Sequence, residues 1–309
     1  MAWGALAWVA CTRSDPELRH GTARDEPLAG VTLRVVDVGA RTWPVLLVLH
    51  GGPGLDHGYL RPWMDALSER RRLVYVDLRG HGRSSAPPSS EGYSIEAAAE
   101  DLHALVLRRH YGQVDVLAHD FGAAVALSLA ARHPVAVRKV VLVAPLRDAE
   151  QVRAVGARTR ETLGEAGQGA IRALSTPQGT LRDPGSLPAL VRALGAMWWH
   201  RPPSEDTVAR LTARTRYRAE ADAGFLVAAL RWDGRLLAPE VRVPVLVVAG
   251  ASDRTFLPGE CRGLADALPH GRYVALAEAG HLPFVESPGA FRAVVEAFLD
   301  PAPRPGRRP

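Results

Sequence analysis

The run Val45-Leu-Leu-Val-Leu contains no polar residue and is short, bounded by Pro44 and His50-Gly51-Gly52. Such a run suits a strand covered on both faces, as in the interior of a parallel sheet. Val140-Val-Leu-Val-Ala and Val243-Pro-Val-Leu-Val-Val-Ala repeat the pattern. A strand buried on both sides requires helices above and below it. Strand patterns at Val31–Val38, Val45–Leu49, Arg72–Asp77, Gln113–Ala118, Arg138–Ala144, Val243–Ala249 and Arg272–Leu276 alternate with helical patterns near 58–70, 95–109, 121–133, 259–268 and 287–299. The alternation predicts an α/β fold with a doubly wound, mostly parallel sheet. The chain's 309 residues, 47% of them apolar, suffice for one large core.

One region breaks the rhythm. Residues 146–237 carry no strand pattern; they are rich in Arg and Ala, with breaks at Thr176-Pro-Gln-Gly, Asp183-Pro-Gly and Arg201-Pro-Pro. A helical insertion leaving the C-terminal edge of a parallel sheet lies over the place where such sheets bind ligands, so 146–237 is expected to form a cap. The core then comprises 31–145 and 238–300. Residues 1–30 are expected to be a poorly ordered leader and 301–309 a disordered tail. The apolar opening Met1–Cys11 lacks a basic residue and is short for a signal peptide.

Net charge is +5, and all the basic residues but Lys139 are arginine. The arginines are scattered among acids, which implies a solvated surface and no nucleic-acid footprint. Cys11 and Cys261 are far apart and in no metal-ligand spacing; no disulfide framework, no metal and a reducing cytoplasm are expected. No stretch approaches the ~20 apolar residues of a membrane span.

The chemistry centres on Ala118-His119-Asp120-Phe121-Gly122, a strand followed by a sharp turn and an Ala-rich helix start. A nucleophile at the tip of such a turn is flanked by small residues because the turn leaves no room for side chains. Asp120 occupies that tip, and the helix N-terminus favours its ionised form. Three further segments accompany it. His50-Gly51-Gly52-Pro53-Gly54 follows a strand, and the N–H groups of Gly52 and Phe121 can form an oxyanion hole. Asp253 lies just past a strand end, a position suited to orienting a histidine. Ala279-Gly280-His281 places His281 on a loop before the last helix, completing the order nucleophile, acid, histidine.

With these segments in that order, residues 31–300 resemble the α/β-hydrolase superfamily. His50-Gly-Gly-Pro-Gly and Asp77-Leu-Arg-Gly-His-Gly-Arg-Ser-Ser are similar to the proline-iminopeptidase-like branch, whereas His119-Asp120 resembles the elbow of epoxide hydrolases and haloalkane dehalogenases. The resemblance implies a cofactor-independent enzyme acting on a small-molecule substrate through Asp120, Asp253 and His281.

The aspartate decides between reactions. A carboxylate attacking an ester gives an anhydride, an unfavourable exchange; at a saturated carbon bearing a strained or stable leaving group it gives an alkyl ester. His281, held by Asp253, then activates water to hydrolyse that ester. An epoxide hydrolase is the first expectation, on a sizeable, partly aromatic, polycyclic natural product. A haloalkane dehalogenase is the alternative, although Phe121 offers no N–H to a halide where such enzymes commonly carry Trp. A scaffold turned to cyclase, lyase or lactonase chemistry in secondary metabolism is the next, and a peptidase the least favoured, since no Glu stands beside Trp198 and Trp199. A non-catalytic ligand-binding protein would need neither Asp253 nor His281. Tyr217, Trp198, Trp199 and His200 are the candidate cap residues that contact substrate and donate hydrogen bonds to the opened oxygen. His119 is expected to pack beneath the elbow, Asp77, His81 and Arg83 to be structural, and Asp56 and His57 to line the pocket.

Overall fold

The computed structural model describes residues 19–176 and 181–300. Its centre is an eight-stranded sheet in the order β1-β2-β4-β3-β5-β6-β7-β8, with β1 (Thr22–Leu28), β2 (Val31–Val38), β3 (Val45–Leu49), β4 (Arg72–Val76), β5 (Val114–His119), β6 (Val137–Val143), β7 (Val245–Gly250) and β8 (Gly271–Leu276). The two joints made by β2 are antiparallel and the rest are parallel. Every residue of β3, β4, β5 and β7 is buried. Side chains alternate across the sheet: Leu47 and Leu49 join the hydrophobic cluster that includes α1 (Ile95–Arg108) and α2 (Gly122–Arg132), while Leu46 and Val48 face the opposite cluster.

Between β6 and β7 lie α3 (Ala149–Leu174, kinked at Gly164), α4 (Leu187–Ala193), α5 (Gly195–Trp198), α6 (Glu205–Thr212), α7 (Ala219–Ala229) and α8 (Gly234–Leu237). The chain then completes the core with α9 (Pro258–Ala267), α10 (Pro283–Glu286) and α11 (Pro288–Leu299). The described residues between Leu146 and Leu237 contain no strand beyond two single-residue bridges.

Two expectations need correction. The leader assigned to 1–30 reaches too far: Thr22–Leu28 is an edge strand, registered against β2 from Thr22↔Asp37 to Leu28↔Val31. Residues 1–18, and the tail 301–309, lie outside the described residues. The helix expected over 58–70 is instead two 3₁₀ segments, His57–Leu60 and Trp63–Glu69. Pro62 falls between them and has no N–H to continue a helical ladder. Among the described residues no helix is long and apolar enough to cross a membrane.

The strand ends are drawn together by missing side chains. A Cβ on Gly250, the last residue of β7, would stand 1.9 Å from the Gly280 carbonyl oxygen. Gly250→Ala therefore forces apart the two loops that carry Asp253 and His281. The expected cost is about 1–3 kcal/mol, as for other overpacked interiors, read as a fall of several degrees in Tm by circular dichroism. An unchanged Tm would contradict this packing.

Candidate active site

Asp120 joins β5 to α2 with φ at 52°, a left-handed conformation that costs a non-glycine residue on the order of 1–3 kcal/mol. The turn is pinned by backbone bonds: the Asp120 N–H donates to the Val143 carbonyl (3.0 Å), and the Asp120 carbonyl accepts from Ala123 (3.0 Å) and Leu146 (3.1 Å). The side chain is thereby raised to the C-terminal edge of the sheet. There the Gly52 N–H donates to Asp120 Oδ2 at 3.0 Å. Phe121 is buried at the start of α2, and both it and Gly52 line the adjoining cavity.

Asp253 and His281 arrive from the β7 and β8 sides. Asp253 Oδ1 accepts from the N–H groups of Thr255 (2.8 Å) and Phe256 (3.1 Å), which leaves Oδ2 for His281 Nδ1 at 2.9 Å. His281 Nε2 then stands 3.9 Å from Asp120 Oδ2. The three residues singled out in the sequence meet at one point. Burial alone would pull the His281 pKa down, but the Asp253 and Asp120 carboxylates on either side raise it to about 10. With Asp120 ionised, the resting histidine is an imidazolium between two carboxylates.

His119 does lie under the elbow, and its partners define its proton. Its Nε2 faces the His281 carbonyl oxygen at 3.0 Å, and a carbonyl can only accept, so Nε2 carries the hydrogen. Nδ1 accepts from the Tyr59 hydroxyl at 2.7 Å, and Tyr59 in turn accepts from the Gly51 N–H at 2.7 Å. Burial and the neighbouring His281 charge bring the His119 pKa down to about 3, so it stays neutral. Tyr59 was not anticipated; a single tyrosine after the glycine loop carries no motif. Asp77 accepts from His57 Nδ1 (2.5 Å) and the Arg83 N–H (3.0 Å), which is the structural role expected of this loop. Asp56 and His57 do not line the cavity as expected: both pack in the loop, with Asp56 capping the turn through the Gly58 N–H at 2.9 Å.

The cavity above Asp120 has a volume of about 730 Å³ and passes between the core and the helical insertion. Trp198 lines it, with its ring centroid 5.3 Å from that of His281. Tyr217 lines it too, but its hydroxyl already donates to Asp222 Oδ2 (2.6 Å) and accepts from the Leu181 N–H (2.7 Å). Burial raises the Asp222 pKa to about 6, against the pull of the Tyr217 hydrogen bond. Asp222 also lines the cavity, and nothing in the sequence pattern marked it.

The other two cap candidates are corrected by the structure. Trp199 is buried inside the insertion, its indole N–H pointing to the Val191 carbonyl at 3.3 Å. His200 is exposed and turns its ring to the Ser252 hydroxyl at 2.8 Å. Neither lines the cavity. His119, Asp120 and His281 offer ligand atoms within 4.8 Å of one another, yet both nitrogens of His119 are taken by Tyr59 and the His281 carbonyl, so they do not suit a metal.

Residues 44–288 match the alpha/beta hydrolase fold family. The chain is 34% identical to epoxide hydrolase 3 of Xenopus tropicalis over 132 residues, 42% of this chain and 35% of that protein. It thus spans only about a third of the epoxide hydrolase it matches. It is 27% identical to a proline iminopeptidase of Levilactobacillus brevis across 82% of this chain and 87% of that protein. Among solved structures, a proline iminopeptidase-related protein from Thermus thermophilus is similar at a TM-score of 0.73 and 28% identity, covering 91% of this chain and 97% of the other.

The flanking carboxylates supply a direct test of the electrostatics. Asp120→Asn removes one of the two charges that hold the His281 proton, so the His281 pKa is expected to fall. A ring-proton NMR titration of the variant against the parent reads this, and an unchanged titration would remove Asp120 from the arrangement.

Proposed function

Because the chain belongs to the α/β-hydrolase family, we propose that it is a hydrolase of epoxides that works through a covalent ester on Asp120. The observation that carries this reading is a carboxylate at the elbow tip, with a backbone N–H on one side and an aspartate-bound histidine on the other. In the first step Asp120 Oδ attacks an epoxide carbon, the C–O bond breaks, and the electron pair moves to the leaving oxygen. That oxygen takes a proton. In the second step water adds to Cγ of the ester, with the Gly52 and Phe121 N–H groups stabilising the oxyanion. Collapse returns Asp120 and releases the diol.

His281 links the two steps through charge. While Asp120 is ionised, His281 holds its proton. Alkylation cancels the Asp120 charge, so the proton becomes easier to lose. The neutral imidazole that results is the base needed for water. The proton released in the first step balances the one taken up by the opened oxygen, and the second step restores both groups.

Of the four cap candidates, Tyr217 and Trp198 line the cavity, and each has a hydrogen to offer the opened oxygen. The Tyr217 hydrogen is directed at Asp222, so donation to substrate requires it to turn away from that carboxylate. Protonation of Asp222 favours the turn. Halide displacement is disfavoured beside this reading, since the buried Phe121 ring carries no donor. The likeness to a proline iminopeptidase over 82% of this chain supports the scaffold, but an aspartate in the nucleophile's place argues against acyl transfer. The size of the cavity favours a bulky epoxide.

The decisive experiment is intact mass measurement of the His281→Gln protein after exposure to a panel of aryl and alkyl epoxides and haloalkanes. The variant attacks but does not hydrolyse, so a gain equal to a whole epoxide is expected, mapped to Asp120 and absent in Asp120→Asn. A gain equal to a haloalkane less its acid would make the protein a dehalogenase. Turnover of any substrate without an adduct would overturn the covalent route and favour cyclase, lyase or lactonase chemistry on this scaffold.

In the same trapping background, Tyr217→Phe is expected to slow adduct formation by about a hundredfold, the usual scale of general-acid catalysis. Asp222→Asn is expected to remove the decline in alkylation rate as pH rises through about 6. Unaltered alkylation in Tyr217→Phe would remove Tyr217 as the donor to the opened oxygen.

A further inference from the structure

Outside the cavity, one cluster of metal-ligating side chains is left without a role. Glu100 and His103 stand one turn apart on α1, and His133 follows the last residue of α2. Residues three apart on a helix share a face, and α1 packs against α2, so the three side chains meet on the seam between the helices. The elbow lies at the other end of α2, roughly 16 Å away at 1.5 Å per residue.

The geometry has three parts. The rings of His103 and His133 stack with centroids 3.6 Å apart and planes 16° from parallel. Rings prefer offset or edge-on arrangements at larger separations, so attraction between the rings alone is a weak reason for this one. His133 Nε2 stands 2.9 Å from Glu100 Oε2. Arg132 Nε–H donates to the other oxygen, Oε1, at 2.7 Å, which fixes the carboxylate with Oε2 toward the histidines. Such a second partner orients a metal ligand in the manner of an outer coordination shell. One ligand atom from each of the three residues lies within 4.8 Å of the others.

We propose that Glu100, His103 and His133 form a binding site for a transition-metal dication of the zinc, nickel or copper class, clamping α1 to α2. Two imidazoles and one carboxylate are a borderline-soft donor set, which selects these ions over magnesium or calcium. All three groups are part-exposed, so the remaining coordination position is left to water, as in other three-ligand sites. A bound ion would tie together the two helices that flank β5, and so stabilise the layer from which the elbow rises.

The test is calorimetric titration of the full chain, free of any affinity tag, with zinc chloride. One ion is expected to bind with a Kd in the micromolar range. His103→Ala and His133→Ala are each expected to weaken binding by about ten- to a hundredfold, the scale seen when a site's supporting groups are removed. Saturating zinc is expected to raise the Tm of the parent and not of these variants, since an ion that binds only the folded chain stabilises it by mass action. Circular dichroism of the metal-free variants checks that each is folded. Magnesium chloride is expected to leave the parent's Tm unchanged. Parent binding weaker than about 100 μM would overturn the proposal, because a preformed three-ligand site gives more than the ~5.5 kcal/mol this represents. Zinc affinity left intact by both histidine substitutions would overturn it too.

Discussion

The left-handed backbone at Asp120 is the constraint to which the surrounding structure is fitted. An aspartate at φ 52° is held there by backbone bonds to Val143, Ala123 and Leu146. A Cβ on Gly51 would stand 2.6 Å from Asp120 Cβ, and one on Gly122 would stand 2.4 Å from the His50 carbonyl oxygen. The glycine loop and the elbow can therefore touch only where both lack side chains. Their contact delivers the Gly52 N–H to the carboxylate, a donor fixed by the fold before any substrate arrives. A donor that needs no reorganisation during reaction is the basis of electrostatic preorganisation.

A second chain of bonds joins the same parts from below. Gly51 donates to Tyr59, Tyr59 to His119, and His119 to the His281 carbonyl. Each link is buried, so each lost partner would leave an unsatisfied polar group, at about 1–3 kcal/mol. The neutral state of His119 is part of the design. A charged ring there would repel the His281 imidazolium, and would have no lone pair for Tyr59. The glycine loop, the elbow and the histidine loop are thus registered by one proton sequence, while the reacting face above remains open to the cavity.

Much of this was legible in the sequence because it rests on local rules. Continuous apolar runs located β3, β6 and β7, and the order of Asp120, Asp253 and His281 followed from loops at strand ends. What escaped depends on side-chain direction or on charge. Trp198, Trp199 and His200 look equivalent in sequence, yet the backbone at Trp199 is extended (φ −116°, ψ 135°), and successive side chains in extended chain point to opposite sides. Trp199 therefore turns from the cavity that Trp198 lines, and His200 is drawn aside to Ser252. The edge strand β1 escaped because Thr22-Ala-Arg-Asp-Glu-Pro-Leu28 has no apolar run; charge and proline are how an edge strand avoids pairing with other chains. Asp222 escaped because its place at the cavity depends on Tyr217, five residues away across a helix start.

Asp222 and Asp120 present opposite uses of burial within one cavity. Asp120 accepts from the Gly52 N–H and faces the His281 ring. Asp222 has one neutral partner, and its burial favours the protonated form. Two carboxyl groups facing one space from different surroundings can take different roles, one as nucleophile and the other governing a proton. Under the proposed reaction Asp222 acts in the first step only, when charge moves from Asp120 to the opened oxygen. The second step draws on His281 and on the backbone donors, which lie on the core side of the cavity. Under that proposal the insertion contributes to ring opening only, whereas the core supplies Asp120 and the groups that hydrolyse its ester.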